Sequence, residues 1–359
     1  MFQRQWFDSN SQQGLKADAI RYDELLRRGR AMDAYALLRQ RREKNPQYWE
    51  RRYLQLKKVM HLKKISRKEN YVCFSGFWPD FSCCDNQILD LLRMAFPGKV
   101  ILGTTEIDNA VISFWSCYED PRTVINSKDA TLRVLFLGEN VRPCYQHFDY
   151  SLTSDPWDYC DRNIYLPLWF IELDFLDSGK IYPDRNPYNL QLLYTERQFD
   201  YSKRLPRAVY IGNNAEPFRV SLMNYLEESG IPVDRFGSQS YPVDDKTALL
   251  QEYKLTICPE NSIADGYITE KPMHSYVSGT VAIYRSGVAP FPLRIAESEM
   301  YISPRGVTQQ SILRICQQAQ MVINVKTKRS LPLMRPRDFE SCRQDLICRI
   351  RSAFGWLLG

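Results

Sequence analysis

The residues best suited to chemistry lie in one stretch of the chain, between the strand-like run 254–258 and Lys271. A polar loop follows the apolar run, and the chain then enters a predicted helix at Pro272, with Thr269 as the expected N-cap. A helix N-terminus carries unpaired N–H groups and a partial positive charge, so this end would attract a phosphate. The polar side chains of the stretch that we single out as candidate ligand contacts are Glu260, Asn261, Ser262, Tyr267, Glu270 and Lys271.

Two of these side chains allow more than one interpretation. Tyr267 offers a ring for stacking and a hydroxyl for hydrogen bonding. Glu270 could accept hydrogen bonds from the hydroxyls of a ribose or another sugar. It could equally be a carboxylate that is simply favourable near a helix N-terminus.

Two further candidates lie outside this stretch. Arg219 falls in the first turn of the helix predicted after 213–217, where a guanidinium could grip a diphosphate through two hydrogen bonds or could simply be solvated. Glu139 follows the apolar strand 133–137, and ligands of α/β sheets bind at the carboxyl ends of the strands. It could act as a general base, cap a helix or pair with Arg142.

Several common classes of site are absent from the sequence. It contains no G-x-G-x-x-G loop, no Walker A loop and no G-x-S-x-G motif, which argues against the simplest dehydrogenases, NTPases and hydrolases. None of the ten cysteines forms a C-x-x-C pair and only three histidines are present, so we expect reduced thiols and no zinc site.

The elements that must position these residues form a repeated α/β pattern. Strand-like runs alternate with helical segments in two halves, which predicts two domains with parallel sheets and a ligand cleft between them. We expect a helical extension over 1–68, an N-terminal domain over 69–190, a C-terminal domain over 200–330 and an amphipathic helix over 335–359.

The net charge of +6 is unevenly distributed. Residues 1–68 contain 18 Lys and Arg against 7 Asp and Glu, a net +11, so the remainder is net negative. Such a segment could be a solvated basic face, could pack on the rest of the chain, or could dock on an anionic membrane or an acidic partner. No apolar run is long enough for a transmembrane helix or a signal peptide, which predicts a cytoplasmic protein, with the inner face of the membrane as a candidate docking surface.

The motifs resemble those of one enzyme family. Glu260-Asn261-Ser262 followed by 267–271 is similar to the donor-site signature of the α-1,3/4-fucosyltransferases, glycosyltransferase family 10. The run 138–140, with Arg142-Pro143 and 148–150, resembles the N-terminal motif of the bacterial members. The run 213–217 with Arg219 resembles the start of their donor domain.

This resemblance implies a fold, a reaction and a set of site residues. The fold would be GT-B, with two Rossmann-like domains that face a cleft, and the reaction an inverting transfer of fucose from GDP-fucose to an acceptor hydroxyl, in α-1,3 or α-1,4 linkage. Glu139 would be the general base. GDP-fucose would be a co-substrate, with no metal or other cofactor required and no nucleic-acid partner. The donor-binding residues would be Arg219, Glu260, Asn261, Ser262, Tyr267, Glu270 and Lys271.

The chain also departs from the family pattern near the donor loop. Pro259 stands where an aromatic residue is usual, and the run 284–287 replaces a more usual Trp-Gly ending. The alternatives are therefore an inverting transferase that uses another nucleotide sugar, and a catalytically silent sugar-binding scaffold. The acceptor, an oligosaccharide or a lipid-linked glycan, is left open by the sequence.

Overall fold

The computed structural model describes residues 13–28, 30–42, 46–64, 69–127, 129–143, 145, 147–213, 216–237, 241–288, 300–302 and 307–358. These residues form two compact units. The first comprises the chain up to Leu166, the short run Lys180–Asn186 and the residues from Arg343 onward. The second comprises Pro167–Gly179 and Pro187–Cys342.

The first unit begins with the predicted helical region, which is confirmed. It consists of helices α1 (Gln13–Arg27), α2 (Ala31–Arg42) and α3 (Pro46–Lys64). Their apolar faces meet in a small core that contains the fully buried Leu38 and Trp49. The segment therefore has a core of its own, as expected for helices with one apolar face.

A six-stranded parallel sheet forms the centre of the first unit, with strand order β2-β1-β3-β4-β5-β6. Its two central strands are buried along their whole length, as is usual for a sheet covered on both faces. The strands and helices are β1 (Glu69–Ser75), α4 (Gln87–Ala95), β2 (Val100–Thr104), β3 (Ile112–Ser116), α5 (Pro121–Asn126), β4 (Leu132–Leu137), β5 (Tyr150–Thr153) and β6 (Asn163–Tyr165).

The second unit contains a five-stranded parallel sheet in the order β12-β11-β10-β8-β9 and a small antiparallel pair, β7 and β13. Strand β10 is buried along its whole length at the centre of the larger sheet. The elements are α6 (Leu168–Ile171), α7 (Gln191–Tyr194), β7 (Arg197–Asp200), β8 (Leu205–Ile211), α8 (Pro217–Glu228), β9 (Val233–Phe236), α9 (Lys246–Gln251), β10 (Tyr253–Ile257), α10 (Lys271–Ser278), β11 (Val281–Arg285), β12 (Tyr301–Ile302), α11 (Gln309–Asn324) and β13 (Thr327–Ser330).

The chain closes with helix α12 (Pro336–Leu358), which contributes residues to both units. In the second unit Phe339 stacks on Phe170, with 5.3 Å between the ring centroids. In the first unit Phe354 packs edge-on against Phe114 and Tyr150. This helix is therefore part of two hydrophobic cores.

Ion pairs attach the basic helices to the sheet of the first unit. Arg51 on α3 donates two hydrogen bonds to the carboxylate of Asp149, at 2.8 and 2.6 Å, and Arg52 lies 3.5 Å from the same carboxylate. Lys58 donates to the carbonyls of Asp108 and Ala110 at 2.8 and 2.7 Å. Part of the positive charge of this segment is thus used within the molecule.

Asp149 stays ionised despite its burial. Burial alone would raise the pKa of Asp149, but the charges of Arg51 and Arg52 and the hydrogen bonds from Arg51 and the backbone N–H of Arg133 outweigh it and lower the pKa to about 2. The unfolded-state pKa is about 3.9. The ionised carboxylate therefore stabilises the fold above about pH 4, and this contribution falls as the pH decreases toward about 2.

We expect Asp149→Asn to lower the free energy of unfolding by about 3 kcal/mol at pH 7, because the buried arginines lose their counter-charge. Urea unfolding, followed by circular dichroism, measures the change. The difference between variant and wild type should shrink between about pH 4 and pH 2, where wild-type Asp149 becomes protonated.

The matched control is Asp161→Asn, which removes another Asp–Arg pair between the helical segment and the sheet. Asp161 binds Arg27, but its side chain is 58% exposed, so we expect a change below about 1 kcal/mol. Equal losses in the two variants would contradict the assignment of Asp149 as the buried anchor of these helices.

Candidate functional site

Two of the predicted donor residues, Arg219 and Lys271, line a small cavity at the carboxyl ends of strands β8 and β10. The cavity has a volume of about 30 Å³, which is enough for a water-sized group. Its walls combine strand residues with the first residues of helices α9 and α10 and the first turn of helix α8. The lining residues are Tyr210, Ile211, Arg219, Lys246, Leu250, Thr256, Ile257, Cys258, Pro259, Lys271 and Ser275.

Arg219 is held in the wall of this cavity by the start of helix α8. Glu216 is the N-cap, and its carboxylate accepts hydrogen bonds from the backbone N–H groups of Phe218 and Arg219 at 3.2 and 3.1 Å. The side chain of Arg219 is 4% exposed, so the alternative of an ordinary solvated arginine is wrong.

The guanidinium of Arg219 links helix α8 to the loop after β10. It donates to the carbonyl of Pro259 at 2.5 Å and to the side-chain oxygen of Asn261, and it lies 3.5 Å from the hydroxyl of Tyr210. All three acceptors are neutral, and the buried Nε has no hydrogen-bond partner among the described residues. Arg219 therefore presents positive charge to the cavity while holding the loop in place.

Glu260 is the centre of the loop rather than part of its surface. Its side chain has no exposed area and lies at the meeting point of three side chains. It accepts hydrogen bonds from the N–H and hydroxyl of Thr269 at 2.9 Å, from Lys271 at 3.0 Å and from the hydroxyl of Tyr284 at 2.7 Å. All of these donors belong to the protein, so Glu260 positions Thr269 and Lys271. Direct contact of Glu260 with a donor stays a prediction.

The helix that follows the loop begins one residue before the predicted Pro272, and its N-cap lies one residue after the predicted Thr269. Helix α10 starts at Lys271 with Glu270 as its N-cap, and the predicted N-cap Thr269 is wrong because its hydroxyl is bound to Glu260. Glu270 makes no capping hydrogen bond through its side chain, but it lies at the N-terminus of the helix, so contact with sugar hydroxyls and simple favourability at this position both stay open. Its carboxylate lies 3.7 Å from the ammonium of Lys246.

Lys271 and Glu270 each shift the pKa of the other toward the charged form. Burial lowers the pKa of Lys271, but the carboxylates of Glu260 and Glu270 outweigh it, and the net shift is upward. Burial raises the pKa of Glu270, but the charges of Lys271 and Lys246 outweigh it, and the net shift is downward. Lys271 is therefore a cation and Glu270 an anion around pH 7.

The other residues of the predicted donor set differ in exposure. Asn261 is exposed and Ser262 is half-buried, whereas the ring of Tyr267 is 2% exposed. Tyr267 is thus part of the packed loop in this structure, and stacking of its ring on a ligand stays a prediction. Asn214 and Ala215, from the predicted motif before Arg219, lie outside the described residues.

The sequence analysis did not single out Lys246. It lies at the start of helix α9, lines the cavity together with Arg219 and Lys271, and forms the ion pair with Glu270. A Lys directly after the N-cap Asp245 is the available sequence signal. It is weak, because nothing near it in sequence points to a ligand.

Glu139 belongs to the first unit, at the carboxyl edge of its sheet. It lies two residues beyond strand β4 and is exposed. The next described helix begins at Leu168, so Glu139 does not cap a helix. Arg142, the suggested partner, forms an ion pair with Asp155 at 2.5 Å.

The described residues contain no group of three His, Cys, Asp or Glu side chains that could hold a metal ion. The nine cysteines in the same part of the chain are free thiols, as expected, while Cys144 lies outside it.

Comparison with known proteins identifies relatives of this chain. Residues 72–172 match the family described as the N-terminal domain of α-(1,3)-fucosyltransferase FucT. The curated α-(1,3)-fucosyltransferase FucT of Helicobacter pylori is 30% identical over 188 residues, which are 45% of this chain and 39% of that protein. The chain thus matches well under half the length of this relative. The resemblance predicted from the motifs is confirmed.

Solved structures extend the likeness to most of the chain. A crystal structure of α1,3-fucosyltransferase covers 80% of this chain and 91% of its own at 19% identity, with a TM-score of 0.54. Structures described as that enzyme with GDP and with GDP-fucose match with TM-scores of 0.51 and 0.50, at 19% and 20% identity. These likenesses confirm the predicted GT-B type of fold.

We expect Glu260→Gln to lower the free energy of unfolding by about 2–4 kcal/mol. The amide lacks the negative charge that pairs with Lys271, and its NH2 group is a donor that would face the donors of Lys271 and Thr269. Urea unfolding of the ligand-free protein measures this. Glu270→Gln is the control: its carboxylate is 28% exposed, and we expect a change below about 1 kcal/mol. A fully stable Glu260→Gln protein would contradict the positioning role.

Proposed function

We propose that this chain, a relative of the α-(1,3)-fucosyltransferases, transfers fucose from GDP-fucose to a hydroxyl of an acceptor glycan with inversion at the anomeric carbon, in α-1,3 or α-1,4 linkage. The observation that carries the proposal is the cavity at the carboxyl ends of β8 and β10, lined by three cationic side chains. The three cations are Arg219, Lys246 and Lys271.

The charge balance of this cavity suits a diphosphate ester. Arg219, Lys246 and Lys271 carry three positive charges, and Glu260 and Glu270 offset two of them. The surplus is one positive charge, in a partly buried place where electrostatic attraction is stronger than in water. The diphosphate of GDP-fucose carries two negative charges, and these cations would stabilise the third charge that develops on GDP as the bond to fucose breaks.

The acceptor half of the reaction is assigned to Glu139. Inversion by direct displacement requires a base that takes the proton of the acceptor hydroxyl while its oxygen forms the bond to the anomeric carbon. An exposed carboxylate just beyond a strand of the first sheet is accessible to such a hydroxyl. The same step releases GDP from the opposite face of the sugar.

We expect Glu139→Gln to lower the rate of fucose transfer by about 10²–10⁴-fold, because the amide cannot accept the proton. GDP should bind with unchanged affinity, since Glu139 lies in the other unit from the donor cavity. Transfer kinetics with radiolabelled GDP-fucose and calorimetry with GDP give the two values. A wild-type transfer rate would remove Glu139 from the mechanism.

We expect Lys271→Met and Lys246→Met each to weaken GDP binding by about tenfold or more, because each removes a charge-assisted contact of roughly 1.4 kcal/mol. Binding of guanosine, which has no phosphate, should be nearly unchanged in both. Lys203→Met is the control, since Lys203 is 86% exposed and does not line the cavity. Equal losses for GDP and guanosine would contradict phosphate binding by these lysines.

We also propose that no metal ion or other cofactor takes part. The three cations and the N-terminus of helix α10 could stabilise the negative charge of the leaving diphosphate without a metal ion. We expect the transfer rate to be unchanged after dialysis against EDTA and after addition of Mg²⁺ or Mn²⁺. A rate that falls with EDTA and returns with the metal would show a requirement.

Two alternative functions can be distinguished by what the protein does with GDP-fucose. A transferase for another nucleotide sugar would turn over GDP-mannose or another activated sugar in preference to GDP-fucose in the same assay. A sugar-binding scaffold would bind GDP-fucose without transferring or hydrolysing it. We favour turnover because Glu139 is accessible.

The location of the protein follows less directly from the structure. The part of the chain that the structure describes contains no helix that is both long enough and apolar enough to cross a membrane. A cytoplasmic location, and docking of the basic helices on an anionic membrane surface or a protein partner, stay predictions. Several of the basic side chains concerned are already used within the molecule, among them Arg51, Arg52 and Lys58.

A further inference from the structure

Two aromatic rings lie in solvent at the carboxyl edge of the first sheet. Tyr118 is 64% exposed and Trp157 is 67% exposed. Among the aromatic side chains described in the first unit, no others are predominantly exposed. Large apolar rings are usually covered, so two at the same edge of a sheet suggest a binding surface.

The strand order places these rings on either side of Glu139. Strands β3, β4 and β5 are parallel neighbours, and their last residues are in register: Ser116 pairs with Phe136 and Leu137 pairs with Thr153. Tyr118 follows β3, Glu139 follows the central β4, and Trp157 follows β5. The candidate base therefore follows the strand that lies between the two strands that precede the rings.

The hydroxyl of Tyr118 also interacts electrostatically with the carboxylate of Glu139. Burial, the thiol of Cys117 and the carboxylate of Glu139 all raise the pKa of Tyr118. The phenol is thus within electrostatic range of the carboxylate, and it stays protonated at neutral pH as a hydrogen-bond donor. A molecule held by this ring would lie beside the candidate base.

Trp157 is held by its backbone while its ring remains in solvent. Its N–H donates to the carboxylate of the buried Asp155 at 3.2 Å, and its carbonyl accepts from the side chain of Asn163 at 2.9 Å. Asp155 also accepts from Tyr159 and binds Arg142. The ring is therefore presented from an ordered loop, and binding through it would cost little conformational entropy.

We propose that Tyr118 and Trp157 bind the acceptor as a pair of stacking platforms, one on each side of Glu139, and that the acceptor is an oligosaccharide of at least two rings. A sugar ring has an apolar C–H face that packs on an aromatic ring, and a polar rim that stays hydrated. Strands β3 and β5 lie two strand spacings apart, about 10 Å, which is roughly the length of a disaccharide. This proposal rests on the proposed function of the chain, because the acceptor hydroxyl must reach Glu139.

The test uses the full chain with lactose, cellobiose, maltose and chitobiose as acceptors, and glucose and galactose as single-ring comparisons. We expect Tyr118→Ala and Trp157→Ala each to raise the KM for the best disaccharide by about tenfold, from the loss of one ring contact. Hydrolysis of GDP-fucose by water and the affinity for GDP should be unchanged. Tyr118→Phe and Trp157→Phe should retain most of the acceptor affinity.

Tyr225→Ala is the control, because Tyr225 is an exposed tyrosine of the second unit, on helix α8. It should leave the KM for every sugar unchanged. Thermal unfolding of all five variants identifies any that are misfolded. Unchanged disaccharide KM values in folded Tyr118→Ala and Trp157→Ala proteins, or equal KM values for single sugars and disaccharides, would overturn the proposal.

A direct binding measurement separates this proposal from the proposed function. Saturation-transfer NMR, with irradiation of the aromatic protons, should show transfer to the C–H protons of a bound disaccharide. It should be lost in the Tyr118→Ala/Trp157→Ala double variant and kept in Tyr225→Ala. A saturation-transfer signal from a wild-type protein that consumes no GDP-fucose would support the stacking platforms and contradict the proposed transferase activity. Consumption of GDP-fucose without a saturation-transfer signal that depends on the two rings would support the transferase and contradict the stacking platforms.

Discussion

The buried carboxylate of Glu260 is the interaction on which the donor half of this molecule depends. An ionised carboxylate with no exposed area is costly unless strong donors surround it, and Thr269, Lys271 and Tyr284 provide them. The loop after β10 and the first residue of α10 are thereby joined at one point. The ammonium of Lys271 and the guanidinium of Arg219 then line the same cavity, although Arg219 belongs to a different helix. One internal salt bridge thus supports a site whose chemistry is carried by its neighbours.

Much of the architecture could be predicted from the sequence because it follows from local patterns. Alternation of strand-like and helical runs predicted two parallel α/β sheets, and both are present. The N-terminal helices were predicted in the same way. The attachment of these helices to the sheet could not be predicted, because it depends on which of many basic residues meets a buried carboxylate. Arg51 and Asp149 are nearly one hundred residues apart, and nothing in either neighbourhood marks them as partners.

The candidate site, too, could be predicted from the sequence only in part. The sequence identified Arg219, Glu260 and Lys271 as residues suited to one site, and the structure brings them together. It could not show that Glu260 faces inward, since Glu260 and Glu270 are both loop carboxylates near a lysine. Burial distinguishes them, and burial is set by the strands on either side. Lys246 was missed for the converse reason: a single lysine on a short helix has no sequence signal until the fold places it beside the cavity.

The attachment of the N-terminal helices has a consequence for how the chain can be divided. Asp149 directly precedes strand β5 of the first sheet, yet the arginines that balance its charge come from helix α3. A shortened chain that began at strand β1 would therefore lose both of the arginines that form ion pairs with this carboxylate. The charge of Asp149 is balanced by the segment that precedes the sheet, so a chain divided at β1 would separate charges that the fold pairs.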